Sequence, residues 1–505
     1  MKIVVKEYRF TGFEALVKES ELQKLVADTI GKELDDGDLD GILKRINEFL
    51  RKKGWNLAES YLPVQDITSG IVEISLDKNI SDGNMTFNRD KSVRVCSRVL
   101  SAIGNEGVRS GQSINERKLE RSVLLMNDLP GVSANGGLVK GTVPGSTGVV
   151  VDVTEGQLLS GAVWEDSFGN YYTGVWRSSA LVSLNDPFGC GDQFSFIGTA
   201  SENFHQGKFA YNRPLGSSGL KANLFFSPMH FKIGKDFSAL DVRGKGWVLD
   251  ADISYPLLRG RLSNVTAMVG YERMFSSGTI LGTKFSESRV NSCLIGLKGD
   301  IYDQAGGYST WNGSVTAGTV NDSSLITDPS LIPIEGGFTR ANMGFARLQQ
   351  LSEMVSLNLS WVAQISLVNL DSSQKIYLGG PFGIRAYPIG EASGDAGQLF
   401  NIDLRLKLPV PARYGTVQLS GFYDAGRITM HIKPWANSIF TATGENTYWL
   451  QGAGLGLTYI HSNRLSIIGC WAHVIGDNPG RSQSGMNSDN KRDIDRFWLT
   501  ATLYF

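Results

Sequence analysis

The run LNLSWVAQISL, Leu357 to Leu367, sets Leu357, Leu359, Trp361, Ala363, Ile365 and Leu367 on one side and Asn358, Ser360, Gln364 and Ser366 on the other. A period of two over eleven residues is a β-strand with unlike faces. The run NIDLRLKL, Asn401 to Leu408, repeats the pattern with Ile402, Leu404, Leu406 and Leu408 against Asn401, Asp403, Arg405 and Lys407. Four polar residues on one face, three of them charged, do not fit a dry core, because unpaired buried charges cost too much. They fit a barrel with lipid outside and water inside. Working outward, the alternation begins near residue 155 and runs to the terminal RFWLTATLYF, where Phe497, Leu499, Ala501, Leu503 and Phe505 share a face. A segment of about 350 residues, at roughly 22 per strand and connection, predicts an antiparallel transmembrane barrel of about 16 strands.

Residues 1 to 154 read differently. Leu22, Leu25, Val26 and Ile30 recur at helical spacing after Ser20, and Leu39, Ile42, Leu43, Ile46, Phe49 and Leu50 do so again before Gly54. Both are amphipathic helices. With strands expected at Val4–Phe10, Trp55–Tyr61 and Ile71–Leu76, residues 1–77 form a small α+β module. Residues 78–154 repeat the order less clearly, with helices at Ser92–Ile103 and Asn115–Met126, a stop at Pro130-Gly131 and a closing strand through Val149, Val151 and Val153. The second module is expected to be a diverged copy of the first.

The bulk properties exclude several classes. Lys plus Arg number 49 and Asp plus Glu 50, which argues against a nucleic-acid partner. No stretch of 18 consecutive apolar residues is present, so the chain is not a helical membrane protein. The opening MKIVVKEYRF lacks the apolar core of a secretory signal, and the expectation is that the signal has been removed. Cys96, Cys190, Cys293 and Cys470 are dispersed with no CxxC. Free thiols are the first reading for them, and a disulfide, which the periplasm permits, is the second. There is no GxxxxGK[ST], HExxH or GxSxG, and His205, His230, His431, His461 and His473 are scattered. No catalytic residues, metal ligands or cofactors are expected. GAGLGL, Gly452 to Leu457, resembles a dinucleotide loop only superficially, because it lies in an alternating strand; close packing in a barrel wall is expected there.

Several segments together resemble the two-partner secretion transporters, the TpsB-like branch of the outer-membrane barrels with periplasmic POTRA domains. They are LERSVLLMNDLPGV (Leu119–Val132), DPFGCGDQFSF (Asp186–Phe196), YNRPLGSSGLKANLFF (Tyr211–Phe226) and LPVPARYGTVQLSGFYDAGRI (Leu408–Ile428). Most specific are GGPFGIRAYP (Gly379–Pro388), followed by GEASGDAG (Gly390–Gly397), and GFYDAGR (Gly421–Arg427). The resemblance implies that a loop near 379–397 folds into the barrel, carrying a motif of Gly380, Pro381, Gly383, Arg385 and Tyr387. It also implies that Arg385 meets Asp424 on an inner-wall motif of Phe422, Asp424 and Gly426. Strand parity agrees independently, since Asp424 shares the face of Gln418 and Ser420. The expected cost of breaking that pair is roughly half the 3–5 kcal/mol of a fully buried one, on the view that the lumen hydrates it.

The function implied is an outer-membrane pore that recognises an exoprotein in the periplasm and passes it unfolded to the surface without ATP. The implied passenger is a large adhesin, haemolysin or contact-dependent toxin. Outer-membrane lipid and the barrel-assembly machinery are the other expected partners. A barrel-assembly insertase, a solute porin and an outer-membrane lipase are the alternatives. Two features depart from the family pattern. The chain begins almost directly in the first POTRA strand, so a plug helix is not expected, and Ala386 stands where a Gly often follows the Arg.

Overall fold

The computed structural model describes residues 2–143, 146–322, 336–435 and 438–505. It divides into two compact units. One is Met1–Gly156 with the short segments Phe188–Gly191 and Pro214–Gly219; the other is the rest of the chain.

In the first unit, helix Asp36–Lys52 starts at an Asp35 cap that accepts from the Asp38 amide at 3.0 Å. It buries Leu39, Ile42, Ile46 and Leu50 and stops at Gly54, whose φ of 90° suits glycine. Helix Glu19–Val26 adds Leu22 and Val26 to the same core. Strand Glu7–Thr11 lies parallel to Ile71–Asp77, and Glu59–Tyr61 pairs antiparallel with that same strand. The following residues repeat this topology. Thr86–Arg89 is parallel to Ser146–Glu155, Val132–Lys140 is antiparallel to it, and helices Ser97–Gly107 and Glu116–Asn127 cover a separate core. The repeat that is faint in sequence is therefore the same sheet built twice. The first helix of this pair begins five residues later than periodicity suggests, with Cys96 extended before it, and the second begins within one residue of expectation, with Asn115 as its cap.

The second unit is a closed antiparallel barrel of 16 strands, from Leu159–Asp166 to Asp495–Tyr504. Wall residues follow the predicted parity. Ile365, Leu404 and Leu503 are exposed on the outside, while Gln364 and Asp403 are buried inside. The wall is uneven. The strand Leu159–Asp166 has 8 residues and Gln193–Ala200 also 8, whereas Ser263–Ile280 has 18 and Thr283–Tyr302 has 20. Closure is made by the register Ala162↔Tyr504 to Asp166↔Thr500, extended by reciprocal bonds between Gly161 and Phe505 at 3.0 Å.

Candidate functional site

Strand Val355–Ser366 is followed by a connection that turns back into the barrel before Ala396–Lys407 resumes the wall. Its tip is a compact fold held by its own backbone. Gly380 donates to the Tyr387 carbonyl at 3.1 Å, Gly383 to Gly380 at 3.1 Å, and Ile384 to Leu378 at 2.7 Å. Gly380 has φ 117°, and a Cβ on Gly383 would lie 2.0 Å from the Leu378 carbonyl, so both positions require glycine. Leu378, Ile384, Ala386 and Tyr387 are buried and pack with Leu399, Phe422, Ile428 and Leu450 of the wall. A Cβ on Gly426 would meet Leu378 and Ile384 at 3.0–3.1 Å, which explains the glycine in the wall motif. Pro381 borders a lumen cavity of about 780 Å³ that Phe382, Arg385, Asp403 and Trp498 also line.

Arg385 is the centre of the contact. Its Nε donates to Asp424 Oδ2 at 2.9 Å and its Nη2 to Asp424 Oδ1 at 2.7 Å, a two-pronged pair. Its backbone N–H adds a third bond to Asp424 at 3.0 Å. The remaining Nη1 reaches Asp403 at 2.8 Å, and the guanidinium lies 3.4 Å from the Phe422 ring centre. Asn401 donates to both the Gly383 carbonyl and Asp424, at 2.9 and 2.8 Å. Of the eight residues named from the two motifs, Arg385, Asp424 and Phe422 make this contact, Gly383 joins it through Asn401, Gly426 faces Leu378 and Ile384, and Gly380, Pro381 and Tyr387 shape the tip around it. Asp424 is fully buried and Arg385 is 15% exposed, so the pair is drier than a hydrated lumen implies. The cost of removing one partner accordingly rises to the full range of about 3–5 kcal/mol.

Other contributors carried weaker signals in the sequence. Asn401 and Asp403 show inward parity, but only the register Asn401↔Asp424 and Asp403↔Phe422 places them beside Arg385. Trp498 is the aromatic of opposite parity in the last strand, and its indole N–H donates to the Arg385 carbonyl at 2.7 Å. Phe382 and Trp498 both pack edge-on against Phe168. The glycines of GAGLGL face this site: a Cβ on Gly452 would meet Ala386 at 2.6 Å, and one on Gly454 would meet the Phe422 ring at 2.5 Å. Their purpose is room for the loop and its stacking ring. Ala386 has no positive φ, so the methyl costs the backbone nothing there.

The root of the loop is a second anchor. Asp395 accepts from Leu370 and Ile432 backbone N–H groups at 3.0 Å each and pairs with Lys375 at 3.2 Å. Glu391 accepts from Asn478 at 2.6 Å and from the Ser488 amide at 2.7 Å.

The barrel and the modules that precede it have counterparts among known proteins. The model of the family described as haemolysin secretion/activation protein ShlB/FhaC/HecB matches residues 145–459, well over half of the chain. The chain belongs to this family. A POTRA domain of ShlB type matches residues 3–77. Among its relatives, the heme/hemopexin transporter protein HuxB of Haemophilus influenzae (strain 86-028NP) is 26% identical over 97% of this chain and 85% of that protein. The outer membrane transporter CdiB of Escherichia coli O6:K15:H31 is 22% identical over 88% of this chain and 74% of its own length. The solved structure of CdiB from Escherichia coli shares the fold with a TM-score of 0.82 at 18% identity, covering 100% of this chain and 91% of that one. As a member of the haemolysin secretion/activation family, this chain is an outer-membrane transporter of partner exoproteins, with its N-terminal modules in the periplasm.

Proposed function

We propose that the barrel carries one exoprotein, unfolded and without ATP, from the periplasm to the cell surface, and that Arg385 with Asp424 is the latch that opens for it. The observation that supports this reading is the Arg385 side chain, whose three nitrogens each donate to a carboxylate of the adjoining barrel wall. A loop held this way closes the path when docked and clears it when the latch yields, a two-state element that a passenger biases by binding one state better. In the absence of a nucleotide, the passenger's own folding outside supplies the direction. Residues 1–77 and 78–154 are the receiving modules and 155–505 the pore. The edge strand Val132–Lys140, with Leu138 and Val139 exposed, offers free main-chain groups to which an extended passenger adds as a further strand. The kinds of passenger that fit are an adhesin, a haemolysin or a contact-dependent toxin; the family's description speaks of haemolysin secretion, and one relative is a heme/hemopexin transporter. The barrel's apolar outer face meets outer-membrane lipid, and insertion falls to the barrel-assembly machinery. No step requires an enzyme.

The test is a double-mutant cycle in cells that supply the passenger. Arg385→Ala and Asp424→Ala are each expected to lower secretion at least tenfold while heat-modifiable gel migration stays normal. The double variant is expected to be little worse than either single one, because both remove one interaction. Multiplicative losses would remove the latch.

A further inference from the structure

Cys96 and Cys190 are far apart in the chain and adjacent in space. The backbone N–H of Cys96 donates to the carbonyl of Gly189 at 2.9 Å, and Gly189 immediately precedes Cys190. A hydrogen bond between these neighbouring peptide units keeps the two Cα atoms within about 6 Å, inside the span that a disulfide bridges.

The closeness is built into both partners. On one side, the Glu155 carboxylate accepts from the Arg94 and Val95 backbone N–H groups at 2.5 and 3.1 Å and pairs with the Arg94 side chain at 2.6 Å, fixing the strand that leads to Cys96. On the other, Cys190 stands between two left-handed glycines. Gly189 packs on the backbone of Arg94, and Gly191 packs on Leu129, whose side chain a Cβ would meet at 2.7 Å. Leu129 belongs to the core of residues Met85–Val153.

Neither sulfur is otherwise committed. Cys96 occupies the N-cap of helix Ser97–Gly107, where Ser, Thr, Asp or Asn would bond the helix amides, and its side chain makes no cap bond. Cys96 is exposed, and the Cys190 thiol makes one weak contact, to the Phe188 carbonyl at 3.5 Å.

We infer that Cys96 and Cys190, held as thiols in this structure, form a disulfide in the mature protein. The periplasm, where this unit resides, is oxidising. The reaction needs a disulfide-bearing dithiol oxidase. One cysteine thiolate attacks its disulfide, giving a mixed disulfide; the other cysteine then displaces the oxidase thiolate. Two protons and two electrons leave this chain, and the oxidase is reduced to its dithiol. The consequence is mechanical: the bridge joins the segment Phe188–Gly191 covalently to the second module, within the one compact unit to which both belong.

The experiment uses the full-length protein in native outer membranes, quenched with acid and alkylated with N-ethylmaleimide in denaturant before any reduction. Peptide mass analysis is expected to find most Cys96 and Cys190 in one linked peptide that dithiothreitol releases, while Cys293 and Cys470 carry the label. Non-reducing denaturing gels should show wild type running ahead of Cys190→Ser and of Cys96→Ser, with the difference abolished by reductant. Direct alkylation of both cysteines in most molecules, equal migration of wild type and variants, or linkage to a second chain would each overturn the inference.

Discussion

The root and the tip of the inward loop are each built on a buried carboxylate and one cation, yet they are wired differently. At the root, Asp395 and Lys375 balance one for one, and the other two bonds to Asp395 come from the backbones of Leu370, on the same connection, and Ile432, on the connection after the wall strand Thr416–Thr429. At the tip, the single guanidinium of Arg385 serves two carboxylates, Asp424 and Asp403, and its three bonds stand beside three made by the backbones of Gly383 and Arg385. Backbone amides cannot be withdrawn without remodelling the chain, whereas one side chain can let go by changing rotamers. In the latch proposed above, the root acts as the fixed hinge and the tip, whose ionic contacts all depend on one side chain, as the part that releases.

The sharpest way to break this comparison is at the root. Asp395→Ala leaves two backbone amides and Lys375 without their acceptor, a loss of about 3–5 kcal/mol. The midpoint of heat-modifiable migration is expected to fall by several degrees; in Asp424→Ala the freed Arg385 rehydrates in the lumen and recovers part of the same cost, so the midpoint falls less and single-channel conductance in planar bilayers rises. Equal drops in midpoint would mean that root and tip are one structural unit. A smaller perturbation separates the ring from the charge. Phe422→Leu would remove the ring beneath Arg385 and keep an apolar side chain in its place, at an expected loss of about 0.5–2 kcal/mol of cation–π attraction. Conductance should rise, but less than in Arg385→Ala; an unchanged trace would show that the stacking adds nothing.

The smallest effect concerns pH at the root. His431 lies 3.4 Å from Lys375 Nζ and stacks near Trp435, and burial, with Lys375 next, holds its imidazole below the usual histidine value, against the pull of Asp395. The folded state then binds fewer protons than the unfolded one, so this contribution is complete above the ordinary histidine pKa. It is lost as pH falls through that value toward the depressed one. Protease cleavage of the surface connections on intact cells should increase modestly between pH 7.5 and 5.5. His431→Gln should flatten the change, and an unaltered slope would assign it to other groups.

Much of this was legible beforehand, for a physical reason. Alternation reports which face meets lipid, so the barrel and the inward parity of Asp424 could be read from VQLSGFYD alone. Partnership is another matter. Asp403 showed as an inner charge, but its role depends on a register that brings it opposite Phe422. Asp395 and Glu391 stood inside GEASGDAG, where small residues hide the fact that both carboxylates are buried and bonded to distant connections. The glycines of GAGLGL were read as wall packing, and what they accommodate is the loop, a neighbour that no local pattern reveals.

The unequal strands have a consequence for the lipid around the barrel. Tilted at about 40° with a rise near 3.3 Å per residue, an eight-residue strand crosses only about 20 Å, while a twenty-residue strand extends about 50 Å. The first strand, Leu159–Asp166, and its neighbours thus fall short of a hydrocarbon layer near 30 Å thick, while the far wall overshoots it. Acyl chains beside the closing strands must shorten to match, at fractions of a kcal/mol per ångström. The membrane is therefore thinnest, and its lipids most disordered, along the line where the barrel closes on itself.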